Sequence, residues 1–196
     1  MCFGRSLLFI RCPDPTELGS HFSSLQCPCG GYFDGFPEPN KNNPTKDGIC
    51  SDCGNQANLD PILERVCNTA SQIEEFGYNE KLEELVEAIP GCHPTFHLRF
   101  QLDLAFLEMP CDAGTAGSFV NKAKSVINTL QHLDPGCSKL MGKYLRVLAL
   151  AQQKLLVEKM RIGEVDGGEV RGAMRELTAT MIQATKLASD FCIVVE

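Results

Sequence analysis

The fold is decided by residues 11–55, RCPDPTELGSHFSSLQCPCGGYFDGFPEPNKNNPTKDGICSDCGN. Four cysteines lie in this stretch as two close pairs, Cys27 with Cys29 and Cys50 with Cys53. Between the pairs, residues 30–48 are rich in Gly, Pro, Asn and Asp and show no clear hydrophobic period. Such a long aperiodic segment is uncommon inside a compact domain. A metal ion bound at its base would supply the order that packing cannot.

The two cysteine pairs have the spacing of zinc half-sites. Zinc takes four thiolates in a tetrahedron, usually from short loops that hold two cysteines and continue with glycine. Cys50 and Cys53, followed by Gly54, meet this description well, whereas the single residue between Cys27 and Cys29 is tighter than usual. We predict a structural Zn²⁺ on all four thiolates, with no open position for a catalytic water. The alternatives are unliganded thiols, one pair together with His21, or a disulfide between the pairs.

The other cysteines favour a reducing compartment. The chain has 11 cysteines, an odd number, and only the four above have metal-type spacing. Five others occur singly, several within apolar helical patterns: Cys67, Cys92, Cys111, Cys137 and Cys192. Buried free cysteine behaves as a small hydrophobe, and disulfides would need an oxidising compartment. We therefore expect a cytoplasmic or nuclear protein, or one found in both places.

The charge and hydropathy argue against two classes of partner. The net charge is -7, and the 18 basic residues are scattered rather than clustered. Nucleic-acid binding depends on clustered Lys and Arg, so we expect no nucleic-acid partner. The apolar run near the N-terminus is shorter than a signal-peptide core, and no stretch approaches the ~20 residues that span a bilayer. We expect no membrane partner and a soluble chain.

After residue 57 the sequence pattern predicts helices. Apolar residues recur at spacings of three and four, and Pro, Gly or Asn separates the runs. The predicted helices cover about 60–76, 79–89, 94–110, 118–133, 138–161 and 169–190. A Pro-Gly-Cys triplet occurs at 90–92 and again at 135–137, 45 residues later, which suits stacked helical hairpins of the tetratricopeptide or HEAT kind. A non-repeat bundle is the alternative.

These patterns together predict a mainly α fold. A small Cys-rich zinc-binding module would precede a tetratricopeptide-like helical-hairpin domain of about six helices. The predicted divisions are 1–20, 21–57 for the zinc module and 58–196 for the helices. Partner binding would use the helical surface, where glutamates of the first two helices form a solvated face that could attract a basic peptide. Cys92, His93 and His97 could form a nucleophile or metal clip, but helix capping and core packing fit them better.

The run RCPDPTELGS at 11–20, then HFSSL and the paired cysteines, resembles the segment after the SET domain in SET-and-MYND (SMYD) protein-lysine methyltransferases. The arthropod SmydA-type members are the most similar group. CHPTFHLRFQLDLAFL at 92–107 is similar to their helical region, and the resemblance extends from about residue 7 to the end. It implies a Cys-pair module followed by a tetratricopeptide-like domain. In that family a SET domain that binds S-adenosylmethionine would precede Arg11.

The chain differs from the family in the segments on which the family's catalysis depends. It has no Asn-His-Ser-Cys segment and no MYND finger, and of the post-SET cysteines only Cys12 is present, with Leu7 and Phe9 at the other positions. Residues 1–20 would be a post-SET-like remnant, with no catalytic residues and no bound S-adenosylmethionine. We expect a non-catalytic zinc- and protein- or peptide-binding region. One alternative is a truncated piece of an active methyltransferase whose SET domain lies upstream; another is a Cys-rich redox sensor.

Overall fold

The computed structural model describes residues 17, 19–34, 47–133 and 139–190. Backbone contacts divide the chain into two compact units, Met1–Ala105 and Phe106–Glu196. We call them unit 1 and unit 2 and describe each by itself. The divisions predicted at 20/21 and 57/58 stay a prediction.

Unit 1 begins with a small antiparallel sheet. Its strands are β1 (Phe33–Asp34), β2 (Asp47–Cys50) and β3 (Gln56–Asn58), in the order β1-β2-β3. Phe33 pairs with Cys50. The sheet therefore places Cys50, of the second cysteine pair, beside the residues that follow the first cysteine pair. β1 and β2 flank residues 35–46, which are outside the described ranges.

Three helices follow in chain order: α1 (Asp60–Phe76), α2 (Glu80–Glu87) and α3 (His97–Leu107). Gly77 ends α1 with a positive φ of 70°, and the Asn79 side chain caps α2 by accepting from the Lys81 N–H at 2.8 Å. α3 begins three residues later than Pro94, the predicted start, because His93–Phe96 form a turn in which the Phe96 N–H donates to the His93 carbonyl.

The Cys-rich segment and the first helices share one hydrophobic core. Its buried members from the Cys-rich segment and its strands are Leu25, Cys27, Phe33 and Cys50. Its buried members from Leu59 onward are Leu59, Leu63, Val66, Ile73, Leu82, Val86, Ile89, Phe96, Leu98 and Leu102. Because burial of apolar surface is the main force in folding, ordering of the Cys-rich segment and packing of the helices stabilise each other.

Unit 2 contains three longer helices: α4 (Ala116–Leu133), α5 (Lys139–Ile162) and α6 (Gly167–Asp190). α5 packs against both α4 and α6. Near its C-terminal end α4 carries His132, whose Nδ1 lies 2.8 Å from the Asn128 carbonyl, as expected for a histidine beside terminal carbonyls. Within the described ranges the fold is thus mainly helical, with six helices. None of these helices combines the length and apolar character needed to cross a bilayer.

A capping box starts α6. The Asp166 carboxylate accepts the backbone N–H of Gly168 at 2.6 Å and of Glu169 at 2.8 Å. The Glu169 carboxylate in return accepts the Asp166 N–H at 3.0 Å. These reciprocal bonds satisfy N–H groups that have no partner inside the helix. The N–H donors of Glu169 and Gly168 also lower the pKa of Asp166.

Asp166→Ala is expected to destabilise unit 2 by about 1 kcal/mol, because it removes the cap but no buried apolar surface. Asp166→Asn is the matched control, since its amide oxygen can still accept from the first turn. The measurement is amide hydrogen exchange of α6, compared among the wild type and both variants. Equal protection of the first turn of α6 in all three proteins would contradict a stabilising cap.

Candidate metal centre

The structure brings the four predicted cysteines together. The Sγ atoms of Cys27, Cys29, Cys50 and Cys53 all lie within 4.8 Å of one another. The Cys29 and Cys50 sulfurs are 3.4 Å apart, and those of Cys27 and Cys53 are 3.9 Å apart. A tetrahedral ion with Zn–S bonds of ~2.3 Å would separate its ligand sulfurs by about 3.8 Å. The cluster therefore has the size of a four-thiolate metal site.

Each cysteine pair is shaped by a tight turn that ends in glycine. In the first half-site the Gly30 N–H donates to the Cys27 carbonyl at 2.9 Å, and Gly30 has φ of 99°. In the second the Gly54 N–H donates to the Cys50 carbonyl at 3.0 Å, and Gly54 has φ of 69°. Glycine adopts such positive φ values without steric cost. The turn of the first half-site, which ends at Gly30, accommodates the single residue between Cys27 and Cys29.

Backbone N–H groups act on every sulfur of the cluster. The Gly31 N–H donates to Cys29 Sγ at 3.4 Å. The N–H of Cys29 acts to lower the pKa of Cys27, those of Cys53 and Asp52 act to lower the pKa of Cys50, and that of Asn55 acts to lower the pKa of Cys53. Donors aimed at a sulfur favour its negatively charged form. The turns therefore prepare the site for thiolates. Sequence reasoning missed Gly31 and Asn55 as donors, although their place two residues after a cysteine was a usable signal.

The thiols influence one another strongly. The N–H of Cys53, assisted by that of Asp52, lowers the pKa of Cys50 to about 7. The pKa of Cys53 is raised to about 12: the Asn55 N–H opposes the shift, and the Cys29 and Cys50 side chains cause most of it. Four neighbouring thiolates repel one another, so the fully ionised cluster needs a cation. The chemistry of this donor set thus fits a bound divalent metal.

The cluster sits at the edge of the unit 1 core. Cys27 and Cys50 are buried, whereas Cys29 and Cys53 are exposed. Among the described residues the metal-competent group consists of these four cysteines and does not include His21, the alternative ligand. The His21 ring instead stacks on Tyr32, with 3.6 Å between ring centroids and 3° between planes.

His93 ties the segment before the metal site to the turn before α3. Its Nε2 lies 3.0 Å from the carbonyl oxygens of His21 and of Ser24, so this nitrogen carries the proton and donates. Its Nδ1 lies 2.9 Å from the Thr95 hydroxyl, which also reaches the Ser20 carbonyl at 2.6 Å. A buried imidazole with these partners is a structural clamp. The expectation that His93 serves packing rather than catalysis agrees with this geometry.

The remaining residues of the predicted clip do not form a reactive site. Burial raises the pKa of Cys92 to about 11, although Arg99 opposes the shift, so this thiol is protonated at neutral pH. His97 is buried among aromatic rings, 4.3 Å from Phe96 and 6.1 Å from Phe22 between centroids. Both side chains act as parts of the core.

His97 is expected to make unit 1 sensitive to acid. Burial lowers its pKa to about 4, whereas an unfolded histidine has a pKa near 6.5. Between these values the unfolded chain binds a proton that the folded chain does not. Stability is therefore full above pH 6.5, falls as the pH drops and reaches its lower level near pH 4. The full loss is about 3 kcal/mol.

Urea unfolding of zinc-loaded wild type and His97→Leu at pH 7 and pH 4.5 tests this. Acid-driven metal loss and the titration of His93 affect both proteins and cancel in the difference between them. We expect the wild type to lose more stability than His97→Leu by about 2–3 kcal/mol. Parallel losses would show that His97 titrates normally.

No protein-family model matches the chain, and no curated protein sequence matches it. The resemblance to SMYD methyltransferases therefore remains a sequence-based expectation, and most of its DPTELG block lies outside the described residues.

Proposed function

We propose that this chain is a non-catalytic scaffold in which Cys27, Cys29, Cys50 and Cys53 hold one structural Zn²⁺. The observation that carries the proposal is the group of four sulfurs within 4.8 Å, each facing a backbone N–H. Soft thiolates select zinc, iron or copper(I), and four of them in a tetrahedral array favour zinc or iron. Zinc suits a purely structural role because it has no redox chemistry.

Metal analysis by plasma emission tests the proposal. Protein purified under reducing conditions is expected to contain about one zinc per chain and little iron, since four thiolates fill the tetrahedral coordination of zinc. Cys53→Ser should lose most of this metal. Cys67→Ser is the matched control, because Cys67 is also exposed but lies outside the cluster. Reduced wild-type protein that neither contains nor takes up zinc would refute the site.

The helices would present the binding surface for a protein or peptide partner. In unit 2 each helix packs against its neighbour along the chain, α4 on α5 and α5 on α6, which supports a tetratricopeptide-like stack of helical hairpins. In unit 1, exposed glutamates of α1 and α2 favour a basic partner peptide. They are Glu74, Glu75, Glu80, Glu84 and Glu87. Cysteines that bind a metal as thiolates would fit a cytoplasmic or nuclear location.

The sequence resemblance supports the same assignment, because SMYD-type proteins carry a helical region after a Cys-pair module. The competing proposal is that an active methyltransferase includes this chain together with an upstream SET domain. Calorimetric titration of the chain with S-adenosylmethionine is expected to show no binding, and micromolar affinity would contradict a non-catalytic role. Sequencing the full-length transcript for an upstream Asn-His-Ser-Cys segment separates the two proposals.

A further inference from the structure

Two close sulfur contacts in the cluster run between the half-sites. Cys29 of the first half-site lies 3.4 Å from Cys50 of the second, and Cys27 lies 3.9 Å from Cys53. Each of these contacts joins the sulfur of an exposed cysteine residue to that of a buried one. One residue of each contact is therefore open to solvent, and the other belongs to the core.

We propose that the cluster is also a modification site for hydrogen peroxide, which converts it to the disulfides Cys29–Cys50 and Cys27–Cys53 and expels the metal. This inference rests on the proposed metal site and adds a reaction to it. In the zinc-loaded cluster all four sulfurs are thiolates, and oxidants reach the exposed residues, so Cys29 and Cys53 react first. The buried sulfur opposite each of them is placed to resolve the product.

Backbone contacts favour this pairing over a disulfide between Cys27 and Cys29. Phe33 pairs with Cys50, and the Ser51 N–H donates to the Tyr32 carbonyl at 2.9 Å, so the backbone places the two half-sites side by side. A bond between Cys27 and Cys29 would instead have to distort the turn closed by Gly30. Cross-pairing needs mainly side-chain movement, because the facing sulfurs already lie close together.

The chemistry balances as two equal reactions. The Cys29 thiolate attacks one peroxide oxygen, the O–O bond breaks, and a sulfenic acid and hydroxide form. The Cys50 thiolate then attacks that sulfenic sulfur, forming the S–S bond and releasing a second hydroxide. Cys53 and Cys27 repeat these steps. Four thiolates are oxidised, two peroxides are reduced to four hydroxides, and Zn²⁺ leaves with its charge unchanged because its anionic ligands are gone.

Peroxide titration of the reduced, zinc-loaded full chain tests the pairing. Zinc content is measured first, and then the zinc released to a colorimetric chelator is followed. We expect complete release at about two peroxides per zinc. Trypsin cleaves after Lys41 and Lys46, which places the half-sites on peptides 12–41 and 47–65. Mass spectrometry without reductant should find these peptides joined, and fragmentation between Cys27 and Pro28 should separate the two linkages.

The outcomes separate this proposal from the metal site. A chain that binds no zinc before peroxide is added refutes the metal site, and this proposal with it. Zinc-loaded protein that keeps its metal, forms disulfides within each half-site or reaches sulfinic acid without cross-links overturns the pairing alone. Cys67→Ser is the control for oxidation elsewhere, and its zinc release should match the wild type.

Discussion

Cys50→Ser is expected to abolish stoichiometric zinc binding and to destabilise unit 1 by at least about 3 kcal/mol. Cys50 is 2 % exposed and contributes to three structures at once: the sulfur cluster, strand β2 and the hydrophobic core. Loss of one ligand removes the binding free energy of the metal, which in a structural site is also folding free energy. Since α1 and α2 share this core, the effect should extend beyond the Cys-rich segment.

Hydrogen exchange resolved by peptide can locate this effect. We expect faster exchange in residues 19–34 and 47–105 and unchanged protection in α4, α5 and α6. Cys67→Ser removes an exposed thiol from α1 without touching the cluster and should exchange like the wild type. Zinc chelation of the wild type should reproduce the Cys50→Ser pattern. Wild-type protection of unit 1 in Cys50→Ser would show that the metal is not needed for its order.

Gly91→Ala is expected to cost about 2–4 kcal/mol. Gly91 has φ of 77°, and a Cβ at this position would lie 2.7 Å from the Gln26 carbonyl oxygen and 3.0 Å from its nitrogen. The contact is rigid because the Gln26 N–H donates to the Gly91 carbonyl at 2.9 Å. The added methyl group must break this bond and push Gln26 aside. Because Gln26 precedes the ligand Cys27, zinc affinity should fall as well.

Gly163→Ala is the control for backbone strain. Gly163 has φ of 74°, close to that of Gly91, and follows α5 in a left-handed cap in which the Glu164 N–H donates to the Lys159 carbonyl at 3.0 Å, but a Cβ there would meet nothing within 4 Å. It should therefore cost only about 1 kcal/mol, the penalty for a side chain in the left-handed region. Urea unfolding of both variants measures the difference, which reports the clash with Gln26. Equal losses of stability would mean that Gln26 moves aside at little cost in free energy.

The helical part of the fold was predictable because residues at each boundary determine where a helix begins and ends. Asp60 with Pro61 starts α1 and Gly77 ends it, as the sequence indicated. The start of α3 was predicted wrongly because long-range contacts shape the turn before it. His93 and Thr95 bond to residues about 70 positions earlier, and no local pattern records such partners.

The candidate site was predictable in its composition but not in its surroundings. Cysteine spacing singled out the four side chains that the structure brings together. The sequence did not show that Cys27 and Cys50 also belong to the core of the first helices, because that depends on tertiary packing. Nor did it show the contact between Gly91 and Gln26, which links distant parts of the chain.

The pairing of β1 with β2 makes the intervening region a permissive place for insertions. Asp34 and Asp47 are held by the ladder on either side of residues 35–46, whatever the length of chain that joins them. Closure entropy grows only logarithmically, so doubling that length would cost about 0.6 kcal/mol. An epitope or a fluorescent reporter could therefore be spliced in there, giving a label on unit 1 that leaves the helices and the sulfur ligands unaltered.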